Sequence, residues 1–353
     1  MDTTMTIRAL EPLITLKGHT DPIISIDYAQ NCFLGQHFLA SGSGSHIFNP
    51  RIENNKKKLT LSFCVIRFVV SLKEDNTCRI WDLKLNKVIK AIKGLSEPVM
   101  LFSFKVVLKH VYTYDLRTKD IILTEPVRRY EFSNDEINSI DVSDNDKFLA
   151  TADDEGAVHI IDLCSHKIFK KTTKKHSNIC MSVKFRPKKS WDVWSGGMDS
   201  YLFEWDFSRG SPKHVYDMSM YERYISDDGK WIAAGLGDST LQVLSSLQQK
   251  SSSLQDVVLS GGHNAMVNCL SFVATSNSHQ KDRQIHLVSG SPNSRFCLWS
   301  FNDTFPLSES LKPTIYQLDK SVGKLNHLIG YELNGNLYIV AAGTGALCIY
   351  TLQ

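Results

Sequence analysis

No two cysteines of this chain are spaced as CxxC, and no histidines as HxH or HExxH, so no metal site is expected. Long hydrophobic runs are missing as well. The most apolar stretch, Leu61–Leu72, has twelve residues broken by Arg67. A bilayer span needs ~20, so no membrane segment is read. No long segment sustains an apolar period of 3.6, which argues against a helical architecture. Neither sign of charge dominates: a formal net charge of +3 over 353 residues is too small to imply a nucleic-acid partner by itself. The eight cysteines are scattered, most of them in predicted strands, where a free thiol behaves as a small buried hydrophobe. The opening residues carry Asp2, Arg8 and Glu11 and do not read as a secretory leader. The expected compartment is therefore reducing, cytoplasm or nucleus. With 42% hydrophobic and 22% charged residues, the composition is that of an ordinary soluble globular chain.

What the sequence does have is a spacing that recurs. Ser195 lies ten residues before Trp205 and Asp199 lies six before it. Ser289 repeats the ten before Trp299, with Asn293 at the six position, and Asp75 repeats the six before Trp81. Strand ends of this kind follow in order at Trp81-Asp82, Tyr114-Asp115, Ile161-Asp162, Trp205-Asp206, Leu244, Trp299 and Tyr350. Hairpin turns precede several of them: Asp153-Asp154-Glu155-Gly156, Gly235-Leu236-Gly237-Asp238 and Gly343-Thr344-Gly345. A period of several tens of residues marks a radial repeat, whose small sheets bury their faces only by stacking on neighbours. The expected fold is all-β, a seven-bladed β-propeller forming one domain over 1–353. Pairing the N-terminal strand near Ile7–Leu16 with the last blade would close the ring and remove open edges.

These residues resemble the WD-repeat family. Gly18-His19 and Gly262-His263 match its Gly-His dipeptide, and Trp81-Asp82 and Trp205-Asp206 match its Trp-Asp pair. The runs at 131–209 and 322–352 match most specifically and mark a narrower group within it. The resemblance implies a buried hydrogen-bonded relay within a blade, from His through Asp and Ser to the Trp indole. In the fourth blade it would be His176, Asp199, Ser195 and Trp205. In the sixth it would be His263, Asn293, Ser289 and Trp299, with Asn in place of Asp. Two Ser/His/Asp-like sets in repeat register point to structure, so no catalytic residue is assigned. Gly235-Leu236-Gly237 is followed by a hairpin and not a helix, so no nucleotide site or other cofactor is read either.

Two stretches depart from the pattern. Residues 44–73 interrupt the first blade and read as an insertion or a retained intron, because removing them puts Ser41 ten residues before Trp81. The segment from Pro98 to His110 is too short to supply the inner strands of the second blade.

Two surface features bear on partners. Lys167, Lys170, Lys171, Lys174, Lys175, Lys184, Arg186, Lys188 and Lys189 form a basic cluster with no interleaved stacking aromatics. Solvated loops explain it more simply than a nucleic acid does. Tyr114, Asp115 and Arg117 resemble the WDxR box by which WD-repeat substrate receptors dock on the damage-specific DNA-binding protein one adaptor of cullin-four ubiquitin ligases, with Tyr replacing Trp. The reading is a non-catalytic protein-interaction scaffold, with substrate reception for such a ligase as its sharper form. A nucleic-acid-associated module using 167–189 is the alternative.

Overall fold

The computed structural model describes residues 7–16, 23, 25–29, 38–42, 68–69, 78–82, 87–93, 110–114, 118–143, 145, 147–172, 175–189, 191–217, 222–225, 230–245, 256–275, 284–302, 307, 311–333 and 335–352. Among them there is no helix. Strands of two to nine residues join by tight turns, because apolar runs such as Phe148–Asp153 and Trp231–Gly235 are too short for helices and end at Gly or Asp.

Six sheets each hold four antiparallel strands, the arrangement of propeller blades, and two of the six carry a fifth, parallel strand at one edge. One runs Ile137–Val142, Phe148–Asp153, Val158–Asp162 and Lys167–Lys171. The next runs Cys180–Phe185, Asp192–Gly197, Tyr201–Asp206 and Ser211–Asp217. Two more span 222–259 and 269–318, and a fifth joins 325–352 with the N-terminal strand Ile14–Leu16. The sixth, over 25–92, pairs Phe38–Gly42 directly with Cys78–Asp82 in the register Ser41↔Arg79. The strands that flank 44–73 in sequence thus pair with each other. A further sheet has three strands, Phe68–Val69, His110–Tyr114 and Arg128–Glu131, where the second blade was expected. The described residues therefore show a β-propeller with six full blades.

Apolar side chains are sandwiched between successive sheets. Ala150, Ala152, Val158 and Ile160 meet Val183, Val193, Phe203 and Trp205 in one such layer. Leu16, Ile26 and Trp81 meet Ile329, Tyr331 and Val340 in the layer that closes the ring. Only Ile14–Leu16 pairs with the last blade, antiparallel to Leu347–Ile349. Ile7–Leu10 instead runs parallel to Thr314–Leu318 on the blade before it. One short N-terminal segment thus covers two neighbouring edges.

Polar side chains tie the innermost strands together across blades. Asn138 Nδ2 donates to the Cys180 carbonyl at 3.2 Å, Asn268 Nδ2 to the Leu325 carbonyl at 3.1 Å and Asn326 Nδ2 to the Ile23 carbonyl at 3.1 Å. The Ser139 hydroxyl accepts from Val183 N, and Ser271 from Gly330 N. Each bond satisfies a backbone group that the sheet ladders leave over.

Candidate functional site: buried relays and the blade surface

In the 180–217 blade, His176 precedes the innermost strand and its ring stacks on Phe203 with centroids 4.1 Å apart. The Trp205 indole donates to Ser195 Oγ at 2.7 Å. That leaves the Ser195 proton to go to His176 Nε2 at 2.9 Å, so Nδ1 carries the ring's proton and donates to Asp199 Oδ1 at 2.9 Å. Asp199 Oδ2 also accepts from Ser177 N at 2.8 Å, and Oδ1 from Tyr201 N at 3.2 Å. Burial pushes the Asp199 carboxyl up, but the hydrogen bonds from His176 and Ser177 outweigh it and leave the group below the ordinary Asp value. Gly197 makes room: a Cβ there would stand 2.6 Å from His176 Nδ1 and 2.7 Å from Asp199 Oδ1. Gly156, at φ +78°, lets the preceding blade's turn approach the His176 carbonyl and accept from His176 N at 2.9 Å.

The 269–318 blade builds a shorter chain. Trp299 Nε1 donates to Ser289 Oγ at 2.9 Å, and Ser289 faces His263 Nε2 at 2.7 Å. The expected fourth member is corrected here: Ser291, not Asn293, meets His263 Nδ1, at 2.5 Å. Asn293 sits in the turn, where its Nδ2 donates to Asn264 and its Oδ1 accepts from Arg295 N. Ser291 ends the strand that carries Ser289, so its side chain points the same way with period two and reaches the imidazole first. With a neutral hydroxyl in place of a carboxylate, nothing offsets burial, and the His263 pKa is pushed down to about 4, the Arg295 charge adding to it.

The 137–171 blade keeps only part of the pattern. Asp153 accepts from Ser133 Oγ at 2.8 Å and Ala157 N at 2.8 Å, and lies 3.1 Å from His159 Nε2. Thr151 holds the serine position, but Ile161 stands where a Trp would donate, so Thr151 Oγ1 is buried without a partner. In all three sets the Ser or Thr hydroxyl is buried.

The basic cluster does not form one track. Arg186 is buried, 3.6 Å from Asp192 and 3.9 Å from Glu204. Lys184 reaches Asp141 at 3.5 Å, Lys175 reaches Glu155 at 3.9 Å, and Lys170 Nζ donates to the Ser208 carbonyl at 2.6 Å. Lys167, Lys188 and Lys189 are exposed. These groups divide among an outer strand, an inner strand and turns at both ends of the blades. Lys174 and the Lys171 side chain lie outside the described residues, as do Asp115, Arg117 and Gly18-His19. Tyr114 ends the strand His110–Tyr114. Among the described residues no group of three His, Cys, Asp or Glu could hold a metal ion. No helix among the described residues is long and apolar enough to cross a membrane.

Sequence reasoning missed Ser291 and Ser133, and its reading of the basic cluster as free of interleaved aromatics is corrected: Phe169 lies within the cluster and Trp191 beside it, both exposed. A signal for Ser133 was present: it precedes the innermost strand by four residues, as His176 does.

The family model for the WD domain, G-beta repeat, matches residues 124–162. That span takes in the outer strand Arg128–Glu131 of one sheet and three strands of the next, so the repeat straddles two blades. The chain is 34% identical over 155 residues to a WD repeat-containing protein 53 homolog of Dictyostelium discoideum, covering 41% of this chain and 42% of that one. It is 26% identical over 159 residues to a THO complex subunit 6 homolog of Danio rerio, covering 38% of this chain and 49% of the relative. The chain thus spans less than half the length of each of these two curated relatives. Read with the indole relays, these matches show a chain that carries the WD repeat and is similar to WD repeat-containing protein 53 homolog.

Proposed function

We propose that this chain is a non-catalytic scaffold for protein–protein interaction, and more narrowly a substrate receptor of a cullin-four ubiquitin ligase. The observation that carries the scaffold reading is where the reactive side chains are committed. Ser195, His176 and Asp199 have a triad's composition, yet Ser195 Oγ is buried and occupied by the Trp205 indole, with Phe203 covering the imidazole. A nucleophile so placed has no room for a substrate atom within attack distance. In a propeller the remaining resource is a rigid wall of turns and outer strands, which suits binding.

The narrower reading rests on sequence. Tyr114-Asp115-Leu116-Arg117 follows a strand on the three-stranded sheet, which we take as the second of seven blades, with 44–73 an insertion that lends Phe68–Val69 to it. An Arg there could present its planar fork to the damage-specific DNA-binding protein one adaptor, where a point charge would not serve. Such a receptor works in cytoplasm or nucleus. The test is co-purification of the adaptor from cells. Arg117→Ala and Arg117→Lys should both lose it, while Lys167→Ala/Lys189→Ala, which removes more charge, should not. Equal recovery for wild type and Arg117→Ala would eliminate the ligase reading and leave the scaffold. The nucleic-acid alternative loses ground because the 167–189 cations are divided among different faces and partners.

A further inference from the structure

Where the 137–171 and 180–217 blades meet, five aromatic rings gather at the end that carries their first and third turns. Phe207 forms the buried floor. Its ring lies 5.2 Å from Phe148, 5.2 Å from Trp191, 5.8 Å from Phe185 and 6.1 Å from Phe169. Phe148 stands 5.0 Å from Phe169 and 5.8 Å from Trp191. Phe169 and Trp191 close the cluster at 6.0 Å from each other, but face outward, 41% and 43% exposed. Exposed rings add little to folding, yet both are held in place by the rings beneath them. Rigid aromatic area of this kind loses little entropy on binding, which is what an interface anchor needs.

The rim is cationic. Lys147 precedes Phe148, Lys167 lies two residues before Phe169 and Lys189 two before Trp191, and all three are exposed. Among the described residues none of the three ammonium groups makes an ion pair or a hydrogen bond. The nearby carboxylates among the described residues are turned to local duties, Asp192 lying 3.6 Å from Arg186. Asp162 accepts from Cys164 N and Ser165 N, while Asp206 accepts from Ser208 and pairs with Arg209 at 3.1 Å.

We infer that the Phe169–Trp191 face docks an acidic peptide segment carrying a bulky apolar anchor residue. The apolar centre takes the anchor and the lysine rim takes flanking carboxylates, the usual division of an interface into dry core and polar rim. A single nucleic-acid strand is the poorer fit. Lys170 is committed to a carbonyl and Arg186 is buried, so no row of cations follows a phosphate backbone. The inference rests on the scaffold reading and not on the adaptor box.

The test is selection of a phage-displayed library of random twelve-residue peptides on the full chain, followed by fluorescence-polarisation titration of the enriched peptides. A twelve-nucleotide oligothymidylate is titrated in parallel. Enriched peptides should be net negative with an aromatic or large aliphatic residue. Their affinity should fall at least tenfold for Phe169→Ser/Trp191→Ser and at least threefold for Lys167→Glu/Lys189→Glu, which leaves the ring cluster intact and should not change the melting temperature. Val258→Ser, an exposed apolar residue on another blade, should bind as wild type does. No enrichment, enrichment of basic or uncharged peptides, or equal binding by the lysine variant would overturn the proposal. So would oligothymidylate binding that is tighter than the peptides' and lost with Trp191. Peptides that bind every variant alike would refute this surface while leaving the scaffold reading in place.

Discussion

Asp199→Ala is the sharpest probe of the relay in the 180–217 blade. The substitution removes the acceptor of His176 Nδ1–H, a buried donor, and of two backbone N–H groups on exposed residues, Ser177 and Tyr201. Water can replace the acceptor at the two exposed amides, so they should lose only tenths of a kcal/mol. The imidazole N–H is shut in between Phe203 and the strands, so losing its carboxylate costs about 1–3 kcal/mol. A total near 2 kcal/mol should appear in urea unfolding as a lower midpoint with an unchanged slope. Asp199→Asn should lose less, because its amide oxygen still accepts one of the three donors. The carboxylate also predicts a pH dependence. Its folded pKa is below the ordinary value, so its stabilisation is present above pH ~4 and disappears as pH falls through the folded value. In Asp199→Asn that part of the acid loss should be missing. A wild-type midpoint for Asp199→Ala would show that the hydrogen bonds drawn here do not hold the blade.

In the 269–318 blade, Ser291→Ala should cost about 1–2 kcal/mol in the same assay and Asn293→Ala well under 1 kcal/mol, since Ser291 meets the buried imidazole and Asn293 does not. The reverse order would restore Asn293 to the relay. His263, with its pKa pushed down to about 4, stays neutral in the fold while the unfolded chain takes up a proton below ~6.5. Stability should therefore fall between pH 6.5 and 4, and His263→Gln should flatten that limb of a pH–stability profile. Deleting 44–73 should preserve the Phe38–Gly42 and Cys78–Asp82 hairpin but remove Phe68–Val69, which pairs with one side of Thr113 and Tyr114. Hydrogen exchange should then speed up at 110–114 and not at 78–82.

The repeat was legible because a blade's chemistry is periodic. Ser195 and Trp205 sit on paired strands and Asp199 in the turn between them, so the fixed offsets bring Ser195 to the indole and Asp199 to His176. Asn293 misled because sequence offset counts residues while hydrogen bonds depend on reach. An Asn in a turn bonds its own backbone two residues on, as Asn293 does with Arg295 N, and so leaves the strand's serine to the imidazole. The three-stranded sheet was hidden for a different reason. Its first strand, Phe68–Val69, lies inside the segment that breaks the period, and pairing across some forty residues has no local signature. Phe169 and Trp191 were invisible as a pair because they occupy different blades, and their meeting depends on how one sheet packs on the next.

That packing also decides where recognition can occur. The polar side chains on the innermost strands, Asn138, Ser139, Asn268, Ser271 and Asn326, are taken up by bonds to the neighbouring blade. The histidines, serines and Asp199 of the relays are taken up within their own blades. Changing any of these would loosen the ring before it altered a binding preference, because each leaves a buried donor or acceptor without a partner. Turn and outer-strand positions carry no such constraint: Phe169, Trp191, Lys167 and Lys189 can be replaced with the ring still closed. Specificity in this chain therefore has to reside on that outer layer, and variants there should separate binding from stability where relay variants cannot.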